Sequence, residues 1–405
     1  MTLRGKEMTT MDLGNRLKER RERAALTQEY VAKQLGLSRE VLSTWETGTR
    51  KPNDKQLENL AVLYRTDLAY LKLGRSAGDK DRQLLLQDLP QDDAVISAFT
   101  RWLDFLDSWA GFLQAQGDPL PGPGKPPRAL DQGGNVTDAR KAPTFALEAR
   151  HEFKLAFDAI HDLETLLDEQ NVLVYKTPIE SMSASNEIVS GAFYNHPRLG
   201  YCIFVNTKQH DARIRFTLAH EFAHALYHYR AGGIISRNGD RNPRETFANA
   251  FASHFLVPGK ALREQVNEIG GKEYLDSMQA FRLAWHFNVS YAMMLFRLHN
   301  EKLISMNDMN EWASYNVGKL AKNWGIRASD SYFAIPANAA NEIAKYPISV
   351  LKRVKLACDK HQIEPDGAAA LLSVSKESLV EGLLQQRRVD KSDDLLELHE
   401  LLAVR

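Results

Sequence analysis

The sequence predicts a mainly α-helical chain with a small β-sheet at its centre, an α+β arrangement. Three observations carry this. Apolar residues recur at helical spacing through residues 13–73, 94–116 and 145–170 and again from about 262 onward. Between 171 and 206 the rhythm shortens to the β-like runs NVLVYK, EIVSGAFYN and GYCIFVN. Two stretches, 74–93 and 117–143, break the rhythm with charge or with Pro and Gly. The expected organisation is an N-terminal five-helix unit over 12–73, a linker over 74–143 holding a helix at 94–116, a central unit over 144–304 and a helical C-terminal region over 305–405. A chain of 405 residues, 43% hydrophobic, can fill two or three such cores. Lys plus Arg equals Asp plus Glu at 52 each, so no global field draws nucleic acid or membrane, and any such affinity is local. The two cysteines, Cys202 and Cys358, exclude a disulfide framework and a cysteine-ligated zinc. With no run near the ~20 apolar residues of a membrane span and no signal-peptide core at the start, a cytoplasmic protein without membrane attachment is expected.

In LTQEYVAKQLGLSREVLSTWETGTRKP, Thr27 is placed to cap a first short helix, Gly36 to allow a tight turn and Ser38 to cap a second helix. That is a helix-turn-helix, whose second helix enters the major groove of DNA by its N-terminal end. Ser38, Arg39, Ser43 and Thr44 are the candidates for base edges, and Gln28, Arg50 and Lys51 for phosphates. Val41 and Trp45 read as core, and Glu46 and Gly48 as residues that fix the following turn. Twelve Lys and Arg face nine Asp and Glu in this unit, a small surplus that predicts weak binding as a monomer and a homodimer on a double-stranded operator. TQEYVAKQLGLSREVLSTWETGTRKPN, with NRLKERRERAALTQ before it and LENLAVLYRTDLAYLKLG after, resembles the Xre family of lambda-repressor and Cro type regulators, which implies DNA binding by about sixty residues.

Residues 74–93 read as a polar linker. In AVISAFTRWLDFLDSWAGFLQ the residues Ile96, Phe99, Leu103, Leu106 and Phe112 or Leu113 form one apolar helical face, suited to a neighbouring domain or to dimerisation. GDPLPGPGKPPRALDQGGNVTDARKAP reads as an extended or mobile connector and FALEARHEFKLAFDAIHDLETLLDEQ as one long helix.

HEFAH at 220–224 follows the last β-like run. Residues four apart on a helix are about 40° apart around its axis, so His220 and His224 can present their imidazoles to one ion, with Glu221 beside them to take a proton from water. An open catalytic site needs a third protein ligand. The metzincin pattern would put Gly at 227 and His at 230, where this chain has Tyr227 and Arg230. NPRETFANAFASHFLVP offers a second helix capped by Asn242, with Pro243 at its start, Glu245 as a ligand and Asn249 four residues later to orient a ligand histidine, as in thermolysin-like enzymes. His228 continues the same helical face and reads as an outer residue. His196, His254 and His286 are open candidates for stabilising a tetrahedral intermediate, and Arg213 and Arg215 read as local anchors.

RFTLAHEFAHALYH together with E-x-x-A-N-x-F-A-x-x-F-L-x-P resembles the ImmA/IrrE family of metallopeptidases over residues 146–304, including VSYAMMLFRLHNEKLIS. The resemblance implies a zincin-like fold, one zinc ion with manganese or another divalent metal as the alternative, His220, His224 and Glu245 as ligands and Glu221 as the catalytic base. It also implies an Xre-type repressor as substrate, since the family is associated with cleaving such proteins under stress, mobile-element or ligand signals. The connector at 118–143 is a second candidate substrate, as accessible backbone of the same chain. The competing expectation is a non-proteolytic repressor that keeps the peptidase-like domain as a sensor. Residues 305–405 read as a regulatory or oligomerising region.

Overall fold

The computed structural model describes residues 13–23, 26–64, 66, 68–73, 79–179, 188–325 and 342–381. Residues 12, 24–25, 65 and 67 of the expected N-terminal unit, 74–78 of the linker, 180–187 of the central unit and 326–341 and 382–405 of the C-terminal region lie outside them. The N-terminal unit holds α1 (Leu13–Arg23), α2 (Gln28–Gln34), α3 (Arg39–Glu46), α4 (Asp54–Leu63) and α5 (Leu68–Leu73). Next come α6 (Asp79–Gln87), α7 (Asp93–Ala115), α8 (Ala142–Glu152) and α9 (Leu163–Glu169). The strands β1 (Leu173–Thr177), β2 (Val189–His196) and β3 (Gly200–Asn206) lead into α10 (Asp211–Tyr227), β4 (Gly233–Arg237) and α11 (Pro243–Leu256). The helices α12 (Gly259–Glu268), α13 (Ser277–His286), α14 (Tyr291–Asn300), α15 (Met306–Ala313), α16 (Val317–Asn323), α17 (Ile348–Asp359) and α18 (Pro365–Leu372) complete the described chain. None of the described helices is long and apolar enough to cross a membrane.

In the N-terminal unit Thr27 accepts the Tyr30 N–H and so caps α2, and Gly36 turns the chain at φ 66°. Leu17, Val31, Leu42, Trp45, Leu60 and Leu71 fill the core. Glu46 does not serve the turn after α3, as the sequence led us to expect. It is buried and joins α3 to α1, taking Arg21 Nε at 2.6 Å and Nη2 at 3.0 Å.

The sheet runs in the order β1-β3-β2-β4, with β1 and β3 parallel and the other pairs antiparallel. Its alternation sorts side chains between two cores. Ile203 and Val205 of β3 join α8–α11 and α13–α14 in one core, and Cys202 and Phe204 join α6, α7, α17 and α18 in the other. Phe204 meets Phe99 at 4.4 Å and Trp102 at 5.4 Å between ring centroids, and Phe105 meets Tyr346 at 4.7 Å.

Three sequence expectations need correction. The polar linker contains α6, whose Leu85 is buried against the sheet, with Leu89 just beyond it. The aromatic face of α7 packs against the sheet and α17–α18, the first of the two covers expected for it, and residues 342–381 belong to this core. The Pro/Gly connector is laid on the central unit, with Leu130 buried and Gly124 bonded both ways to the Asn195 side chain at 2.7 and 3.1 Å. The long helix over 145–170 is two, α8 and α9. Arg150 breaks it by donating to the carbonyls of Ala156 and Asp158 and, at 2.7 Å, of Phe255, Lys154 adopts φ 55°, and Asp162 caps the restart.

Beneath the sheet, Asp107 of α7 is bonded by Arg82, lies 3.4 Å from His196 Nε2 and faces Arg198 at 3.9 Å. Burial works against its charge, but His196 and Arg82 outweigh it and hold the carboxyl down at about 2. Because the folded value lies below the unfolded one near 3.9, the contribution is complete above about pH 5 and fades as pH falls toward 2, by up to about 2 kcal/mol. Urea midpoints measured from pH 6 to pH 3 should therefore fall less steeply for Asp107→Asn than for wild type. Parallel profiles would show that Asp107 contributes nothing to the pH dependence.

Candidate metal centre and DNA-reading helix

α10 is buried along nearly its whole length, and it lies against β2 because residue 191 is glycine. A Cβ there would come within 2.7 Å of Thr217 Cγ2 and 2.8 Å of Glu221 Oε1. α11 starts where Asn242 accepts the N–H groups of Arg244 and Glu245, both at 3.1 Å, with Pro243 in the first turn. The two helices cross so that His220 Nε2 stands 3.0 Å from Glu245 Oε2, His224 Nε2 3.2 Å from Glu245 Oε1, and the two Nε2 atoms 3.1 Å apart. One potential ligand atom from each of these three buried residues lies within 4.8 Å of the others, so the group could hold a metal ion.

Hydrogen bonds on the far sides of the rings set the tautomers. Asn249 Oδ1 lies 3.0 Å from His220 Nδ1, so that nitrogen carries the proton and Nε2 presents a lone pair. His224 Nδ1 faces His228 Nδ1 at 2.8 Å, while His228 Nε2 meets the carbonyl oxygen of Val136. A carbonyl only accepts, so His228 is protonated on Nε2 and its Nδ1 takes the His224 proton, leaving His224 Nε2 bare as well. Burial, reinforced by His224, holds His228 down to about 3 and therefore neutral.

Two bare nitrogens and a carboxylate converging in a buried site repel one another unless a cation lies among them. Glu221 strengthens this conclusion. It is fully buried, and neither carboxylate oxygen makes a hydrogen bond of good geometry among the described residues, although the Ser236 hydroxyl is close enough to favour its charged form a little. Burial, then the charge of Glu245, push its carboxyl well above the usual carboxylate range. The donor set of two imidazoles and one carboxylate, with a second carboxylate alongside, fits zinc or a similar divalent ion.

A cleft of ≈350 Å³ opens onto His220, Glu245 and Asn249. Its wall includes Phe216, Ser236, Asp240 and the arginines Arg213, Arg237 and Arg241. Ser236, whose Oγ is 3.2 Å from His220 Nε2, was not anticipated, because it arrives on β4, a strand the sequence did not announce. Arg215 is the local anchor expected, donating to the carbonyls of Asn288, His161 and Ile160, and Arg213 donates to Asn238 Oδ1 at 2.6 Å while also lining the cleft. His196, His254 and His286 are engaged by Asp107, Arg297 and Asp158, and none lines the cleft.

On α3, Ser38 and Arg39 are exposed, as are Arg50 and Lys51 beyond it, while Gln28, Ser43 and Thr44 are half-buried. Ser38 stands at the N-cap without the side-chain cap bond expected of it. Thr44 donates its hydroxyl to Val41 O at 2.7 Å, so toward a base it can only accept. Gln28 holds Arg39 Nε at 3.4 Å and donates to Glu46 at 2.9 Å, which orients the arginine at the start of the helix.

Fold and site together define a helix-turn-helix module joined to a domain with a buried cluster of two histidines and two carboxylates that could hold a metal ion. Residues 12–71 match the helix-turn-helix domain family, and residues 168–299 match the IrrE N-terminal-like domain family of M78 peptidases. Over 85 residues, 21% of its length, the chain is 34% identical to the HTH-type transcriptional regulator ImmR of Bacillus subtilis (strain 168), and the match spans 66% of that protein. Over 61 residues, 15% of its length, it is 41% identical to the ImmF control region 10 kDa protein of Bacillus phage phi105, of which 68% is spanned. The chain belongs to the Xre-type helix-turn-helix regulators and carries a domain of the ImmA/IrrE metallopeptidase family.

Proposed function

We propose that this protein is a DNA-binding regulator whose second domain is a zinc-dependent endopeptidase acting on an Xre-type repressor. The observation that carries the peptidase reading is the convergence of His220, His224 and Glu245 on one point beside the buried carboxylate of Glu221. A zinc ion bound by these three residues would supply Lewis acidity, polarising a carbonyl and acidifying water. Glu221 accepts a proton from the attacking water and returns it to the leaving amine as the C–N bond breaks. Asn249 and His228 hold the two ligand rings in register. With Arg237 paired to Asp88, Arg213 and Arg241 against Asp240 still leave the wall of the cleft a positive balance, which suits a peptide segment with acidic side chains.

A repressor in trans suits the site better than the chain's own 118–143 segment, which is bonded along the central unit. The test is to incubate the zinc-loaded protein with an Xre-type repressor and to map fragments by mass spectrometry. A new terminus formed by wild type supports the proposal. An intact repressor and an intact chain, with zinc bound and the inducing signal supplied, would favour the sensor reading.

For the DNA-binding half we propose that α3 reads the major groove of a double-stranded operator. Arg39→Ala should weaken binding to a duplex enriched from random sequence by about 1–3 kcal/mol, whereas Lys51→Ala should weaken all duplexes alike and lower the salt slope by about one. Electrophoretic titration at several salt concentrations separates the two effects. Unchanged binding in both variants would show that α3 recognises something other than DNA. Weak binding by the isolated chain, strengthened with protein concentration, is expected if two copies occupy one operator.

A further inference from the structure

The connector reaching the central unit from α7 touches the metal centre through one imidazole. Val136 accepts from His228 Nε2, and His228 Nδ1 in turn faces His224 Nδ1 at 2.8 Å. The same backbone is held from several sides. Val136 N–H donates to Tyr227 O at 3.2 Å, Tyr229 donates its hydroxyl to Asp131 at 3.0 Å, and Asn135 takes Arg244 Nε and Nη2 at 3.1 and 2.9 Å. Asn195 grips Gly124 from β2 and donates to Tyr229 O at 3.2 Å. Gly134, at φ 71°, fits under Tyr229 and Arg230 only because it has no side chain. Tyr229 and Arg230 follow His228 directly, and Arg244 precedes Glu245, so the tethers attach to residues that flank the metal-site residues in sequence.

We infer that residues 122–138 form a strap that completes the outer shell of the metal site, with Val136 and His228 as a relay fixing the ring and tautomer of His224. The inference rests on the metallopeptidase reading. It makes metal affinity depend on a segment remote in sequence, on the stretch of chain that leads from the DNA-binding module. With the strap seated, the Val136 carbonyl keeps the His228 proton on Nε2, His224 donates its Nδ1 proton, and its Nε2 lone pair faces Glu245. With the strap displaced, His228 loses its acceptor and its ring is free to turn or to change tautomer. A His228 protonated on Nδ1 would oppose the His224 N–H and favour the wrong His224 tautomer. His228 is therefore a positioning residue, acting through His224, and not a fourth ligand.

The test uses the full-length protein and reads zinc affinity by chelator competition together with the visible spectrum of the cobalt-substituted form. Outer-shell changes of this kind typically weaken metal binding by about 10–100-fold. His228→Leu, which removes both hydrogen bonds, should lose that much and shift the cobalt bands. His228→Gln should recover most of it, since its amide can accept from His224 and donate to Val136. Gly134→Val, which touches no ligand, should weaken zinc binding by a similar factor while the far-ultraviolet dichroism and DNA binding stay unchanged. Wild-type affinity and unshifted bands in His228→Leu and Gly134→Val would overturn the strap while leaving the metallopeptidase reading intact. A wild-type protein that takes up no zinc would overturn both. If Gly134→Val fails to fold, the contrast between His228→Leu and His228→Gln decides the matter: equal loss in both would reject the relay.

Discussion

Glu221→Gln is expected to leave zinc stoichiometry unchanged and to reduce peptide-bond cleavage by about 10²–10⁴-fold. The substitution preserves shape, so the contact of α10 with Gly191 of β2 is retained, and none of the three ligand residues is altered. What is lost is the one group, among the described residues of the site, placed to move the proton. His220 and His224 each have one nitrogen committed to an outer partner and the other turned toward Glu245. Glu245 is spanned by both histidines. Glu221 alone is buried with neither oxygen in a hydrogen bond of good geometry among the described residues. The measurement is initial cleavage rate against metal content in the same preparations. Cleavage at the wild-type rate in Glu221→Gln would place the base elsewhere, and loss of zinc would make Glu221 part of the binding shell.

The second large effect concerns the metal itself. Glu245→Ala and His224→Ala should each lose stoichiometric zinc, and with it the stabilisation that zinc gives the folded chain, about 4 kcal/mol at a free concentration a thousandfold above the dissociation constant. In wild type, zinc should raise the thermal midpoint; in these variants it should not. Asn249→Ala serves as the graded control. It removes only the acceptor for His220 Nδ1 and should lower affinity by about 10–100-fold without abolishing binding. Retained zinc in Glu245→Ala would remove this residue from the ligand set.

The parts of these arguments that the sequence conveyed are those governed by contacts within one or two helical turns. Thr27, Gly36 and the spacing between them specify a turn because caps and left-handed backbone are local requirements. HEFAH and the Glu245–Asn249 pair are legible for the same reason, since residues four apart share a helix face wherever the helix lies. The resemblances to the Xre and ImmA/IrrE families rest on these local patterns and agree with the family matches. Even here some detail was lost. Thr44 turned its hydroxyl onto its own helix, and Glu46 served a buried ion pair with Arg21 in place of a turn.

Other features depended on partners far away along the chain. GIISR became β4 because β2 offered an edge to pair with, and that pairing brought Ser236 to His220. The charged 79–87 segment packed as a helix because the sheet had an apolar face to cover, and α7 found its cover in that sheet and in α17–α18. Arg150 ended α8 by collecting carbonyls that only the folded chain gathers. His228 meets Val136 across 92 residues, a contact with no periodicity to announce it. By itself the sequence determined the helix-turn-helix, the HEFAH helix and the Glu245 helix, and which side chains share a face on each, because those choices are made by hydrogen bonds and sterics within about four residues. The tertiary structure alone decided which faces meet, because burial and ligand convergence are properties of elements brought together from separate parts of the chain.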